Sequence, residues 1–332
     1  MTRRSHPVAP LLLALALLAG CAAAPRAGTP TPLANAAVPS FSHIFIIVME
    51  NKSYSQVIGS DATPYFNQLA GEYGLATNYR GVTHPSLPNY LALTGGSTFG
   101  ISRDCTSCFV DEPNVADQLE AAGKTWKAYM ESMPEPCFVG DAKPLYYQKH
   151  NPFIYYNSIR NDPARCRRIV PLTELRRDLA ANTLPNYVWI TPNMCNDTHD
   201  CSTGDGDAWL KTWVPQIIAS PAWRDRGALF ITFDEGERAL SSLGDGGHLA
   251  TLVISPLGKP AFRSAAAYDH YALLRTVERA WGLPELKNAG CECTPTMGEF
   301  FFSQTIESEE VAPPRLSMIL TPSPPFPRAG EG

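Results

Sequence analysis

The sequence predicts an α/β protein with a mostly parallel central sheet and helices on both faces. Two observations carry that prediction. Continuous apolar runs alternate with stretches of helical periodicity, at the spacing of strand, helix, strand units. Two of those runs, Ile44 to Met49 and Ala228 to Phe233, also stop abruptly at polar groups: Glu50-Asn51 after the first, Asp234-Glu235 after the second. Buried parallel strands read as unbroken apolar segments, and open α/β sheets bind ligands beyond the carboxyl ends of their strands. Three acids and an amide are therefore directed at one crevice.

Along the chain, the apolar run 43–49 is the first strand, followed by a helix over 64–73. A helix over 87–94 comes next, with Ser86 expected as its N-cap and Pro88 in its first turn, where a missing N–H does no harm. A helix at 114–122 leads into a strand at 125–130. Residues 131–170 are aromatic, proline-rich and cysteine-bearing without periodicity, and are expected to form an irregular, disulfide-pinned cap near the crevice. Helix 172–181, strand 186–191, helix 207–219, strand 227–233, strand 249–254 and helix 270–281 complete the series. Asp207 is expected to cap the helix that follows it, and Asp269 the last one.

Both ends of the chain lie outside this pattern. Residues 1–20 have a basic start at Arg3 and Arg4, an apolar stretch from Leu11 to Leu18 and small residues before Cys21, the layout of a secretory signal. That stretch is too short for a permanent membrane span. Leu18-Ala19-Gly20-Cys21 resembles a bacterial lipobox, so Cys21 is the expected lipidation site and the membrane an expected partner through an N-terminal lipid anchor. Residues 21–38 read as a flexible tether, 39–310 as the folded domain, and 311–332 as a proline-rich disordered tail. Export agrees with the cysteines: of nine, eight remain without Cys21. The local pairs Cys105/Cys108, Cys195/Cys201 and Cys291/Cys293, with Cys137 and Cys166, leave the connectivity open. A zinc site of Cys105, Cys108, Cys291 and Cys293 is the rival reading. The net charge of −5, without a Lys/Arg cluster interleaved with aromatics, argues against a nucleic-acid surface.

The chemistry concentrates in a few strings. Carboxylates forced together repel, and a cation between them removes that penalty. Glu50, Asn51, Asp234 and Glu235 are therefore candidate ligands of one divalent metal ion: oxygen donors suit Mg, Ca or Mn, and added histidines admit Zn. Thr83-His84-Pro85-Ser86-Leu87-Pro88-Asn89 places a hydroxyl at a helix N-terminus, where unpaired N–H groups and the helix dipole favour a phosphate and an alkoxide. Ser86 is the candidate nucleophile, with His84 and Asn89 as candidate substrate contacts. His199 and His248 adjoin strand ends in polar surroundings and are candidates for proton transfer. Asp197 and Asp200 are potential partners of His199. Asp205 and Asp207 resemble a piece of a calcium loop whose later ligand spacing is absent.

These motifs in this order, with Gly247-His248 through Ser255-Pro256 and Asp269-His270-Tyr271 through Glu278, resemble the bacterial phosphoesterase family over residues 42–285. That family groups acid phosphatases with phospholipases C and is similar in fold to the alkaline phosphatase superfamily. The resemblance implies that Glu50, Asn51, Asp234 and Glu235 hold the metal and that Ser86 is both nucleophile and metal contact. It also implies that His199 and His248 contact phosphate or handle protons. The expected activity is hydrolysis of small phosphomonoesters through a phosphoserine. The alternatives are a phospholipase C acting on lipid headgroups and a non-catalytic ligand-binding lipoprotein. Two features depart from the family pattern: Glu235 stands where aspartate is more usual, and the extra C-terminal domains of the phospholipases are missing.

Overall fold

A computed structural model describes residue 1 and residues 37–238 and 245–302. The expected signal, the tether up to residue 36, Cys21 and the tail lie outside the described residues. In chain order the elements are β1 (Ile44–Met49), α1 (Tyr54–Val57), α2 (Pro64–Glu72), β2 (Gly74–Arg80), α3 (Ser86–Gly95), α4 (Val115–Ala121) and β3 (Trp126–Met130). They continue with α5 (Asn157–Arg160), α6 (Pro163–Cys166), β4 (Ile169–Pro171), α7 (Thr173–Ala181), β5 (Tyr187–Thr191), α8 (Thr203–Ala219) and α9 (Pro221–Arg224). The last are β6 (Ala228–Phe233), β7 (His248–Ile254), β8 (Arg263–Ser264), β9 (Tyr268–Asp269) and α10 (His270–Trp281).

The strands form one sheet in the order β4-β3-β5-β1-β6-β7-β2-β8, with β9 also on β2. From β4 to β6 all pairings are parallel; β7 runs antiparallel to both β6 and β2. Every residue of β1, β5 and β6 is buried, which explains their unbroken apolar sequences. Because β7 is reversed, its first residues share an edge of the sheet with the carboxyl ends of β1, β5, β6 and β2. That edge carries the polar residues.

Several sequence expectations are corrected by packing. Strand β2 was not legible: its Thr77 and Asn78 are only half-buried and a register shift separates Ala76 from Tyr79, so it shows neither an apolar run nor clean alternation. Asp207 does not cap its own helix. Ser202 does, with Asp205 completing a capping box, so α8 begins earlier than expected. The Asp207 carboxylate instead accepts from Tyr65 N at 3.0 Å and Phe66 N at 2.7 Å, capping α2 across the core. Ser86 is the first helical residue of α3, and Pro85 precedes it in the capping position without a side-chain bond. The helix ends at Gly96, whose left-handed φ of 70° and closeness to the Leu286 carbonyl both require glycine.

The cysteines close as Cys105–Cys108, Cys137–Cys166, Cys195–Cys201 and Cys291–Cys293, which removes the four-cysteine zinc reading. Residues 131–170 form the expected irregular cap of short turns, and the Cys137–Cys166 bridge pins it. Among the described residues no helix is long and apolar enough to cross a membrane.

Candidate active site

Glu50 leaves β1 fully buried, and Asp234 leaves β6, the adjacent strand, equally buried. Asn51 has a left-handed φ of 53°, a conformation asparagine tolerates, and its backbone N–H donates to Asp234 Oδ1 at 3.2 Å. The loop after β5 clamps the same turn. Glu50 N donates to the Asp197 carbonyl at 2.8 Å, and Thr198 Oγ1 donates to the Glu50 carbonyl at 2.7 Å. Ser86, at the mouth of α3, donates to Glu50 Oε2 at 3.1 Å and is close enough to Asp234 to favour its charged form. The two strand tips and the helical hydroxyl thus meet at one point.

Burial pushes the Glu50 carboxyl well above the ordinary carboxylate range, and the neighbouring charges of Asp234 and Asp197 add to it. Burial likewise raises Asp234 and Asp197. Glu235 is raised to about 9 by burial and then by Asp234. Two acid oxygens, Asp234 Oδ2 and Asp197 Oδ2, are buried without a hydrogen-bond partner. Hard oxygens that repel one another, with Asp234 Oδ2 left without a donor, are chemically suited to a divalent cation.

The other expected residues fall in different places. Glu235 Oε2 lies 3.1 Å from His84 Nδ1 and accepts from Asn89 Nδ2 at 3.3 Å. Asn89 is otherwise committed to its own turn: Oδ1 accepts from Val82 N and Thr83 N, and Nδ2 donates to the Thr83 carbonyl. Its contacts position the His84–Ser86 segment rather than face open space. His199 approaches the cluster, with Nδ1 2.6 Å from Asp200 Oδ1. His248 is engaged elsewhere, its Nε2 2.8 Å from the Thr77 carbonyl and its ring stacked on Tyr54 at 4.5 Å.

Four residues were missed by the sequence reading. His150, buried on the cap, has Nε2 3.1 Å from Glu50 Oε1 and Nδ1 3.3 Å from Asp197 Oδ2. With Glu50 and His199 it forms a group whose ligand atoms lie within 4.8 Å of one another. Lys149 beside it reaches Asp104 and His199. Tyr90, one turn after Ser86, donates to Glu50 Oε1 at 2.6 Å and stacks on His150. Asp104 accepts from Leu87 N at 3.1 Å, so a carboxylate already occupies part of the α3 N-terminus that the sequence offered to phosphate. No local pattern marks the cap residues, which arrive through packing. His270, expected to be a helix opener, also backs the site: its Nε2 lies 2.5 Å from the Asp234 carbonyl and its Nδ1 3.1 Å from Tyr79 OH.

Residues 60–284 match the phosphoesterase family. The chain belongs to that family. Among phosphoesterase relatives, it is 31% identical to an acid phosphatase of Aspergillus fumigatus, over 79% of this chain and 59% of the relative. It is also 31% identical to a phosphatidylinositol-3-phosphatase of Mycobacterium tuberculosis, over 82% of this chain and 87% of that protein. The chain spans 59%, 64% and 60% of the length of three acid phosphatases that it matches. The fold is similar to that of an alkaline phosphatase superfamily protein from Vibrio parahaemolyticus, with a TM-score of 0.51 at 13% identity over 79% of this chain and 74% of that one.

Proposed function

We propose that this phosphoesterase is an extracytoplasmic, metal-dependent acid phosphatase that hydrolyses small phosphomonoesters, with Ser86 as nucleophile. The observation that supports it most is the Ser86 hydroxyl bonded to Glu50 beside the buried, unpartnered oxygen of Asp234. Similarity to an acid phosphatase and a phosphatidylinositol-3-phosphatase supports the ester class. The disulfides favour an oxidising compartment. Lipidation of Cys21 remains part of the proposal, with mass spectrometry of the mature N-terminus as its check.

Glu50, Asn51, Asp234, Glu235 and Ser86 would hold the divalent cation, which when bound draws charge from the serine and phosphoryl oxygens. Ser86 loses its proton along the existing bond to Glu50 Oε2 as its oxygen attacks phosphorus. The ester P–O bond breaks in line, and the departing alcohol takes a proton from His199. Water then attacks the phosphoserine, giving one proton back to His199, and the departing Ser86 oxygen recovers its proton from Glu50. His199 suits the proton role better than His248 by position: it clusters with Glu50 and His150, whereas the His248 ring turns onto Tyr54 and the Thr77 carbonyl. Burial and then Lys149 lower the His199 pKa, with Asp200 opposing them, so its acid form needs a mildly acidic medium.

Hydrolysis of p-nitrophenyl phosphate across pH, with chelator and metal add-back, tests reaction class and metal need together. Ser86→Ala should abolish turnover and phosphoenzyme; full activity in that variant would eliminate the mechanism. Faster headgroup release from phosphatidylcholine than from phosphomonoesters would favour a phospholipase C instead.

A further inference from the structure

We propose that Lys149 forms an anion subsite that grips the dianionic phosphoryl group and makes the site prefer phosphomonoesters to phosphodiesters. This rests on the phosphatase reading and assigns the group that recognises the substrate's charge.

Lys149 lies in the short cap turn Gln148–His150, and its side chain is 17% exposed. Its ammonium stands 3.2 Å from Asp104 Oδ2 and 3.2 Å from His199 Nε2. Both partners are fixed. Asp104 is bonded through its other oxygen to the backbone N–H of Leu87, the residue after the nucleophile, so ammonium and Ser86 are tied through one carboxylate. In the neutral imidazole, Asp200 on His199 Nδ1 leaves the Nε2 lone pair facing the ammonium. An ammonium has three donors, and two are engaged. The third has no partner among the described residues.

The charge balance points the same way. Lys149 is near enough to lower the pKa values of Glu50, Asp197, Asp234 and Glu235 together. Asp104 is the acid it directly contacts; Glu50 and Asp234 act on it through space. The Glu50, His150 and His199 group has the spacing of a cation site, but its outer imidazole already accepts from the ammonium. The fixed positive charge there is therefore Lys149. A monoester brings two negative charges to it and a diester one, so its removal must affect monoesters more.

The test compares Lys149→Gln and Lys149→Arg with the wild type, each with its divalent metal. A charge-assisted hydrogen bond of ordinary strength predicts that Lys149→Gln weakens inorganic phosphate binding by about 10- to 100-fold in titration calorimetry. The kcat/KM for p-nitrophenyl phosphate should fall by about as much, with the loss for methyl p-nitrophenyl phosphate several-fold smaller. Lys149→Arg should recover part of the phosphate affinity, while metal content and Tm stay near wild type in both variants. Unchanged phosphate affinity in Lys149→Gln, or equal losses on monoester and diester, would overturn the proposal. If the wild type hydrolyses no phosphomonoester the phosphatase reading fails, whereas phosphate calorimetry still decides whether Lys149 is an anion subsite.

Discussion

Replacing Glu278 by glutamine should stabilise the protein at high pH and leave it almost unchanged below about pH 4. Glu278 lies on α10 with no exposed surface. Its Oε1 accepts from Gln118 Nε2 at 3.2 Å and Leu286 N at 3.0 Å, and its Oε2 is buried without a partner. Burial, only partly offset by those bonds, raises its pKa from 4.5 to about 8. The folded protein therefore keeps a proton that the unfolded chain releases near pH 4.5. Stability is full below that pH, declines as pH rises through the window, and levels off above about 8. The full decline corresponds to about 5 kcal/mol, a ceiling because nearby dipoles relax around the charge. Glutamine mimics the protonated carboxyl and has no such slope. Urea unfolding at intervals from pH 5 to 9, in chelator so that the strand-tip acids contribute equally, measures the difference between the two proteins. It should grow from under about 1 kcal/mol to several kcal/mol. A difference that does not vary with pH would refute the argument.

Tyr90→Phe removes the hydroxyl that orients Glu50 Oε1 and should weaken apparent metal affinity by about 10- to 100-fold, read from metal add-back curves; an unchanged curve contradicts the positioning role. Asp207→Ala removes the carboxylate that caps α2 and should lower unfolding free energy by about 3 kcal/mol in urea titrations, with kcat of the folded enzyme retained. Gly206→Ala would drive a methyl into Thr198 and to 2.9 Å from Met49 Cε. A loss of about 1–3 kcal/mol is expected, with lower activity as well, because Thr198 holds the Glu50 carbonyl.

How legible each part was follows from how local its cause is. β1 and β6 read clearly because both their faces are covered, so every position had to be apolar until the chain reached the edge. Glu50 and Asp234 were conspicuous for the same reason. β2 was hidden because it is half-exposed and irregular, and β8 and β9 because two residues carry no period. Helix boundaries came within a few residues except where the cap partner was remote, as with Asp207.

The site divides along the same line. Ser86 was identifiable from its place before an apolar helix, although its neighbour Pro85 takes the capping position. His199 and His248 looked equivalent in sequence, each polar and beside a strand end. Packing separated them: the ring of His248 turns onto Tyr54 and a β2 carbonyl, while His199 faces Lys149.

The amino-acid order by itself determined the central strands of the sheet, the edge at which it opens and the acids delivered there, since burial on both faces writes an uninterrupted apolar record. The tertiary structure alone decided which lysine and histidine of the cap join those acids, and which helix receives the Asp207 carboxylate. Such pairings link residues far apart in the chain, and their geometry is set by packed side chains and the Cys137–Cys166 bridge, which leave no periodic trace.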